Sequence, residues 1–319
     1  MLKRIAAVLA AMTLLAAGCG DDDGGGGADD QERTSVTVGL LPITPVAPVF
    51  IAQEKGFFRE ENLEVKTQMA EGGAAIIPAV LSGDFDIGFS NMASNLIARS
   101  RGLPIVALTG GEVTPAEGEE DSSAIMVRRD SPIRTPQDLE GKEIGVNTLK
   151  NIAGLTTRAA MEEEGARPEF REAEVPFPEM LPTVQRGDID AGFFNEPFTT
   201  LAKQEGLRTI MKPYDLTGND LPIAHYFALE SFVQENRDVV DRFNRAIERA
   251  TEVYRNEPEE VRRVVLKYTE IPKPAAQRMI LSPVNSELDP SAFEEMAELA
   301  QRFDLTEHKV DVSELLPER

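Results

Sequence analysis

Short apolar runs, separated by longer stretches with helical spacing, fill the first two thirds of the chain. Strand-like runs fall at residues 36–41, 63–69, 87–90 and 105–109, with helical candidates at 47–60, 74–81 and 92–101 between them. A second set of strands follows at 143–146, 170–175, 191–193 and 207–211, again with helical stretches in the gaps. Strands alternating with helices predict a mostly parallel sheet. Beyond residue 222 the period changes. Val239, Val240, Phe243, Ala246, Ile247, Ala250, Val253 and Tyr254 recur at the spacing of one helix face, which predicts a long amphipathic helix. Further helices are expected at 258–268 and 292–303. This helical tail has no strand partner of its own and is expected to pack back onto the first set of strands.

A repeat organises this pattern. Residues 78–91 read PAVLSGDFDIGFSN and residues 182–195 read PTVQRGDIDAGFFN, identical at 8 of 14 positions without a gap. Pro78 and Pro182 suit a first helical turn, where a missing N–H costs nothing. Gly83 and Gly187 suit a left-handed helix stop. A Gly-Asp turn then feeds a short buried strand, and Asn91 and Asn195 fall just past its carboxyl end, where open α/β sheets bind ligands. The expected fold is therefore two Rossmann-like α/β lobes facing a common cleft. Lobe 1 is discontinuous, covering 35–124 and 213–319, and lobe 2 covers 125–212. The crossings are expected near 121–124 and 211–224.

The N-terminus stands apart. Lys3 and Arg4 precede an apolar run, 5–17, that is shorter than the roughly 20 residues a membrane span needs. With the small residues that follow, residues 1–18 read as a secretory signal. Cys19 is the single cysteine. It follows Leu15-Ala16-Ala17-Gly18, a run that resembles a bacterial lipobox, in which the cysteine carries the lipid. Residues 19–34, rich in Gly and Asp, read as a flexible tether. Without Lys3 and Arg4 the chain has 31 basic and 55 acidic residues, a formal charge of −24. That balance argues against nucleic acid, whose binders carry basic patches. The acidic runs 21–23 and 112–121 read as solvated segments rather than calcium loops, which need six or more oxygens held in a turn.

The binding candidates are loop positions at strand ends. Ile43 and Thr44 follow the first strand, Glu71, Gly72 and Gly73 the second, and Ser90, Asn91 and Met92 the third. The second lobe adds Asn147, Thr148 and Asn151, then Phe177, then Asn195 and Glu196. Free N–H groups at helix starts suit polar ligand atoms, although Asn and Gly also cap turns everywhere. Phe193 either stacks on a flat ligand or fills the core. Glu71, Glu179 and Glu196 face a single base, Lys150, which leans the site towards an amine or amidine. No catalytic residue, metal site or cofactor is expected. The two histidines, His225 and His308, have no metal-ligand spacing, and neither a nucleophile elbow nor a phosphate loop occurs.

The runs 36–40, 52–65, 72–91, 138–147 and 187–198, taken together, resemble type II periplasmic solute-binding proteins. The nearest group binds aliphatic sulfonates, taurine, nitrate or thiamine-precursor pyrimidines. With the lipobox reading, the resemblance leads to the expectation of an extracytoplasmic, lipid-anchored capture subunit of an ABC importer, expected to be a monomer. Such a subunit closes on a small nitrogen- or sulfur-containing solute and passes it to a membrane permease. Two alternatives stay open: a sensory or protein-binding lipoprotein of the same fold, and an enzyme. The related pyrimidine-precursor synthases use an active-site His and a cofactor-binding Lys together with a Cys-rich motif, and this sequence lacks the Cys-rich motif. The lipobox reading predicts that Cys19→Ser releases the protein from the membrane fraction. A mutant that stays membrane-bound after a salt wash would refute lipid anchoring.

Overall fold

The computed structural model describes residues 33–70 and 75–317. The signal, Cys19, most of the tether, and the candidates Glu71, Gly72 and Gly73 lie outside the described residues. The first elements are β1 (Thr34–Leu40), α1 (Ala47–Lys55), α2 (Phe57–Glu60), β2 (Leu63–Met69), α3 (Ile76–Ser82), β3 (Ile87–Asn91), α4 (Met92–Ser100) and β4 (Ile105–Gly110). The chain continues through β5 (Ala124–Val127), β6 (Glu143–Val146), α5 (Ile152–Glu163), β7 (Arg171–Glu174), α6 (Phe177–Arg186), β8 (Ala191–Phe194), α7 (Phe198–Gln204) and β9 (Arg208–Met211). It ends with β10 (Ala224–Leu229), α8 (Glu230–Glu235), α9 (Arg237–Asn256), α10 (Pro258–Val265), α11 (Lys273–Ala276) and α12 (Pro290–Arg302).

The strands form two five-stranded sheets, ordered β2-β1-β3-β10-β4 and β7-β6-β8-β5-β9. The orders match strand for strand. Each sheet is parallel apart from one internal strand, β10 in the first and β5 in the second. Neither strand was anticipated. Each is the first element after a crossing, and each runs against its neighbours, outside the regular alternation of parallel strand and helix.

The repeat builds the same joint twice. Gly83 and Gly187 cap α3 and α6 in the left-handed region, at φ 81° and 77°. The Asp86 carboxylate accepts the Thr37 N–H at 2.8 Å, and the Asp190 carboxylate accepts the Glu143 N–H at 2.9 Å. Their own N–H groups donate back to the carbonyls of the same residues, both at 3.0 Å. Each aspartate thus ties the start of its strand to the neighbouring parallel strand. A Cβ on Gly88 would lie 2.6 Å from Phe227, and one on Gly192 would lie 2.9 Å from Val184, so both glycines let side chains press directly on the strand backbone.

Two expectations need correction and a third is extended. The helix expected at 47–60 is broken by Gly56 at φ 80° into α1 and α2. Pro182 sits inside α6 rather than in its first turn, because Pro178 starts that helix earlier. The tail packs on the first lobe as expected, and it also reaches the second. The amphipathic face of α9 packs on α1, α2 and β4, but α11 touches α7 and α12 bridges α4 and α5. Arg302 of α12 pairs with Glu162 of α5 at 2.6 Å.

The paired aspartate ties predict that Asp86→Ala and Asp190→Ala each remove about 1–2 kcal/mol of stability, the lower range for a charge-assisted bond at a partly exposed site. Urea unfolding measures this, and two neutral substitutions would show that the ties do not hold the strands.

Candidate functional site

Two chain segments run between the sheets, and their pairing fixes the site. The 112 carbonyl accepts the N–H groups of Ile223 and Ala224 at 2.8 and 3.1 Å, and Thr114 N–H donates to the Leu221 carbonyl at 2.8 Å. Further along, the buried Asp121 carboxylate accepts from Ser123 N–H and Oγ at 2.6 and 2.7 Å. Its other oxygen accepts from the N–H groups of Tyr214 and Asp215 at 2.8 and 3.0 Å. One carboxylate therefore clamps both segments together. The solvated loop expected at 112–121 is wrong at both ends: Glu112 and Asp121 are 1% and 0% exposed, and only the tip at 117–120 faces water.

Above these segments lies a cavity with walls from both sheets. Leu41, Ile43, Phe89 and Asn91 come from the first lobe, and Asn147, Ile152, Phe177, Phe193 and Asn195 from the second. Glu112, Tyr214, Ile223 and Ala224 form the part nearest the crossings. The cavity offers about 20 Å³ to the centres of water molecules, enough for roughly one water. The lobes also touch by hydrogen bonds. Ile152 N–H at the start of α5 donates to Asn91 Oδ1 at 3.3 Å, and Thr44 N–H donates to the Glu196 carbonyl at 3.0 Å.

The two repeat asparagines do different work. Asn91 Oδ1 caps α4, accepting Ser94 N–H at 2.9 Å, which suits an N-cap position. Asn195 Oδ1 accepts Glu196 N–H at 2.8 Å, which turns its Nδ2 towards both Glu112 oxygens at 3.0 and 3.1 Å.

Of the residues singled out in the sequence, Ile43, Asn91, Asn147, Phe177 and Asn195 line the cavity. Ser90 lies on the other face of β3 from Phe89 and Asn91, as strand alternation requires, paired across the sheet with His225. Thr44 and Met92 are buried beside the cavity rather than lining it. Asn151 caps α5 and donates to Asn147 Oδ1 at 2.7 Å, and Thr148 donates to the Asn147 carbonyl at 2.9 Å. Glu196 is turned away from the cavity. Its carboxylate accepts from Thr200 Oγ1 at 2.8 Å and from Ile280 N–H at 3.2 Å. Glu179 and Lys150 are exposed. Phe193 is buried and lines the cavity, its ring centre 5.8 Å from that of Tyr214.

Sequence reasoning missed Glu112, Tyr214 and Phe89. Tyr214 sits in a stretch read as a crossing, 211–224, and Glu112 in the acidic loop just before the other, 121–124. A crossing between two lobes must floor their cleft, and that signal could have found both.

A family described as NMT1/THI5 like matches residues 43–261. The chain belongs to this family. Among curated relatives, it is 26% identical over 238 residues to the 4-amino-5-hydroxymethyl-2-methylpyrimidine phosphate synthase of Aspergillus parasiticus, covering 66% of this chain and 64% of that one. The chain thus spans just under two thirds of that relative's length. It is 27% identical over 178 residues to the taurine-binding periplasmic protein of Escherichia coli K12, covering 55% and 53% of the two chains. The alkanesulfonate-binding protein SsuA of Xanthomonas axonopodis pv. citri, solved with MOPS bound, superposes with a TM-score of 0.76 at 16% identity over 90% of this chain and 99% of that one. This NMT1/THI5-like chain therefore has the two-lobed periplasmic-binding-protein fold.

The site of this NMT1/THI5-like protein holds unusually placed acids. Burial pushes Glu112 up from 4.5 to about 7, against hydrogen bonds from Asn195 and Ser122 and with the like charge of Asp121 adding to it. Burial also raises Asp121 from 3.8 to about 6 and Glu196 from 4.5 to about 7. Between the unfolded and folded values, the folded chain keeps protons that the unfolded chain has released, so stability falls as pH rises. The windows run from 4.5 to about 7 for Glu112 and Glu196, and from 3.8 to about 6 for Asp121. Buried His225, lowered from 6.5 to about 3, opposes this below 6.5, but the three acids outweigh it. Melting temperature should therefore fall between these limits, and Glu112→Gln should flatten the fall. A melting temperature that climbs steadily through the same window would contradict the burial of these acids.

Proposed function

We propose that this protein is the extracytoplasmic solute-capture subunit of an ABC importer, anchored through a lipid on Cys19. It takes a small nitrogen- or sulfur-containing organic solute by closing lobe 1 (35–124 and 213–319) and lobe 2 (125–212) around it, and hands that solute to a membrane permease. The observation that carries this reading is a cavity walled by both lobes, floored by the two crossings and fastened by hydrogen bonds between the lobes. Its volume leaves room for about one water, so a solute enters only by parting the walls. A ligand that touches both walls has higher affinity for the closed form, which is the physical requirement for ligand-driven closure. A relative named as a taurine-binding periplasmic protein supports the same reading.

The synthase names among the relatives raise an enzymatic reading. The placement of the histidines speaks against it here. His225 lies in β10, fully buried, its Nε2 2.8 Å from Asn95 Nδ2 and its ring beside Phe293. Burial drops its pKa to about 3 and keeps it neutral. His308 is exposed beyond α12. Neither histidine lines the cavity.

The capture reading predicts that a metabolite co-purified with the protein and identified by mass spectrometry, once stripped and added back, compacts the protein in X-ray scattering. Compaction should saturate at the concentration at which binding does. Asn147→Ala and Asn195→Ala should each weaken binding by about 0.5–1.5 kcal/mol, one hydrogen bond's worth. Binding without compaction would reject closure.

A further inference from the structure

Resting on the capture reading, we propose that the solute is an organic cation, an ammonium or amidinium group on a small apolar body, and that Glu112 is its counter-charge. Among the described residues lining the cavity, Glu112 is the one acidic or basic side chain apart from the Tyr214 phenol, and it is 1% exposed. The groups around it are the Asn195 amide, the Ser122 and Ser282 hydroxyls, the Asp121 carboxylate and the Tyr214 phenol, none of them basic. A buried carboxylate without a cation is costly. In the empty protein the uptake of a proton relieves that cost; in the complex the ligand's positive charge relieves it.

The surroundings fit the same chemistry. Phe89 from β3, Phe177 from α6, Phe193 from β8 and Tyr214 from the second crossing all face this cavity. Aromatic faces attract a desolvated cation and cover an apolar body at the same time. Asn195 positions the carboxylate: its Oδ1 is committed to the Glu196 N–H, so its Nδ2 must hold both Glu112 oxygens. A sulfonate or nitrate in the same space would meet Glu112 as a like charge.

The test uses probe pairs matched in shape and opposed in charge, titrated by calorimetry into the full chain. Choline is set against its neutral isostere 3,3-dimethyl-1-butanol, benzamidinium against benzoate, with taurine, methanesulfonate and nitrate alongside. The cations should bind at least tenfold tighter than their neutral or anionic partners. Glu112→Gln should lose that preference at least tenfold, and Glu112→Asp should keep it. Should the variants fail to fold, the probe pairs on the unaltered protein still decide the matter. Tighter binding of the anions, or cation binding unchanged in a folded Glu112→Gln, overturns the assignment while leaving solute capture standing. No binding by any probe, together with no co-purified metabolite, overturns both.

Discussion

The whole arrangement depends on two stretches of chain that pass between the lobes with their ends buried. Their backbone groups must be paired, because an unpaired buried N–H or carbonyl costs as much as a lost hydrogen bond. Here the two stretches satisfy each other through the Glu112, Ile223 and Ala224 backbone bonds, and Asp121 supplies acceptors for the N–H groups left over. Once the crossings are fixed this way, their side chains have no choice of location. Glu112 and Tyr214 are carried to the base of the cleft, beside Asn195 and Phe193.

Against that fixed base, the two lobes are variations on one design. The Asp86 and Asp190 ties, the Gly83 and Gly187 caps, and the close packing at Gly88 and Gly192 recur in place. These features hold a helix and strand together, and both lobes need that equally. The symmetry stops at the cleft. Asn91 begins a helix and caps it, whereas Asn195 is followed by Glu196 and Pro197 and reaches instead to a crossing. The repeat thus preserves scaffold and lets the two walls diverge. One wall offers a capped helix start and the other presents a held carboxylate.

The tail adds a constraint of its own. By spanning α4 and α5 through α12, and α7 through α11, it contacts both lobes rather than one. The Glu196 carboxylate, which accepts the Ile280 N–H, joins lobe 2 to that tail. Any opening of the cleft must therefore break or slide these contacts as well as those within the cavity, and the exposed Arg302–Glu162 pair is the easiest of them to part.

The sequence by itself determined the parts whose cause is local. Alternating strands and helices, the left-handed glycine stops, the long apolar face of α9 and the two-lobed plan from the repeat were all legible, because periodicity, capping and turn chemistry act over a few residues. Ile43, Asn91, Asn147, Phe177 and Asn195 were legible for a related reason: they end strands, and strand ends meet at a cleft. What only the tertiary structure decided was burial and partnership across distance. Glu112 reads as one more acid in an acidic loop until folding brings it to Asn195, 83 residues away. Glu196 reads as a rim charge until Thr200 and Ile280 take its oxygens. β5 and β10 stand outside the alternation of strand and helix, and their places are set by antiparallel pairing with β8 and β9 and with β3 and β4. A charge's role depends on which segments exclude water from it, and no stretch of neighbouring sequence records that.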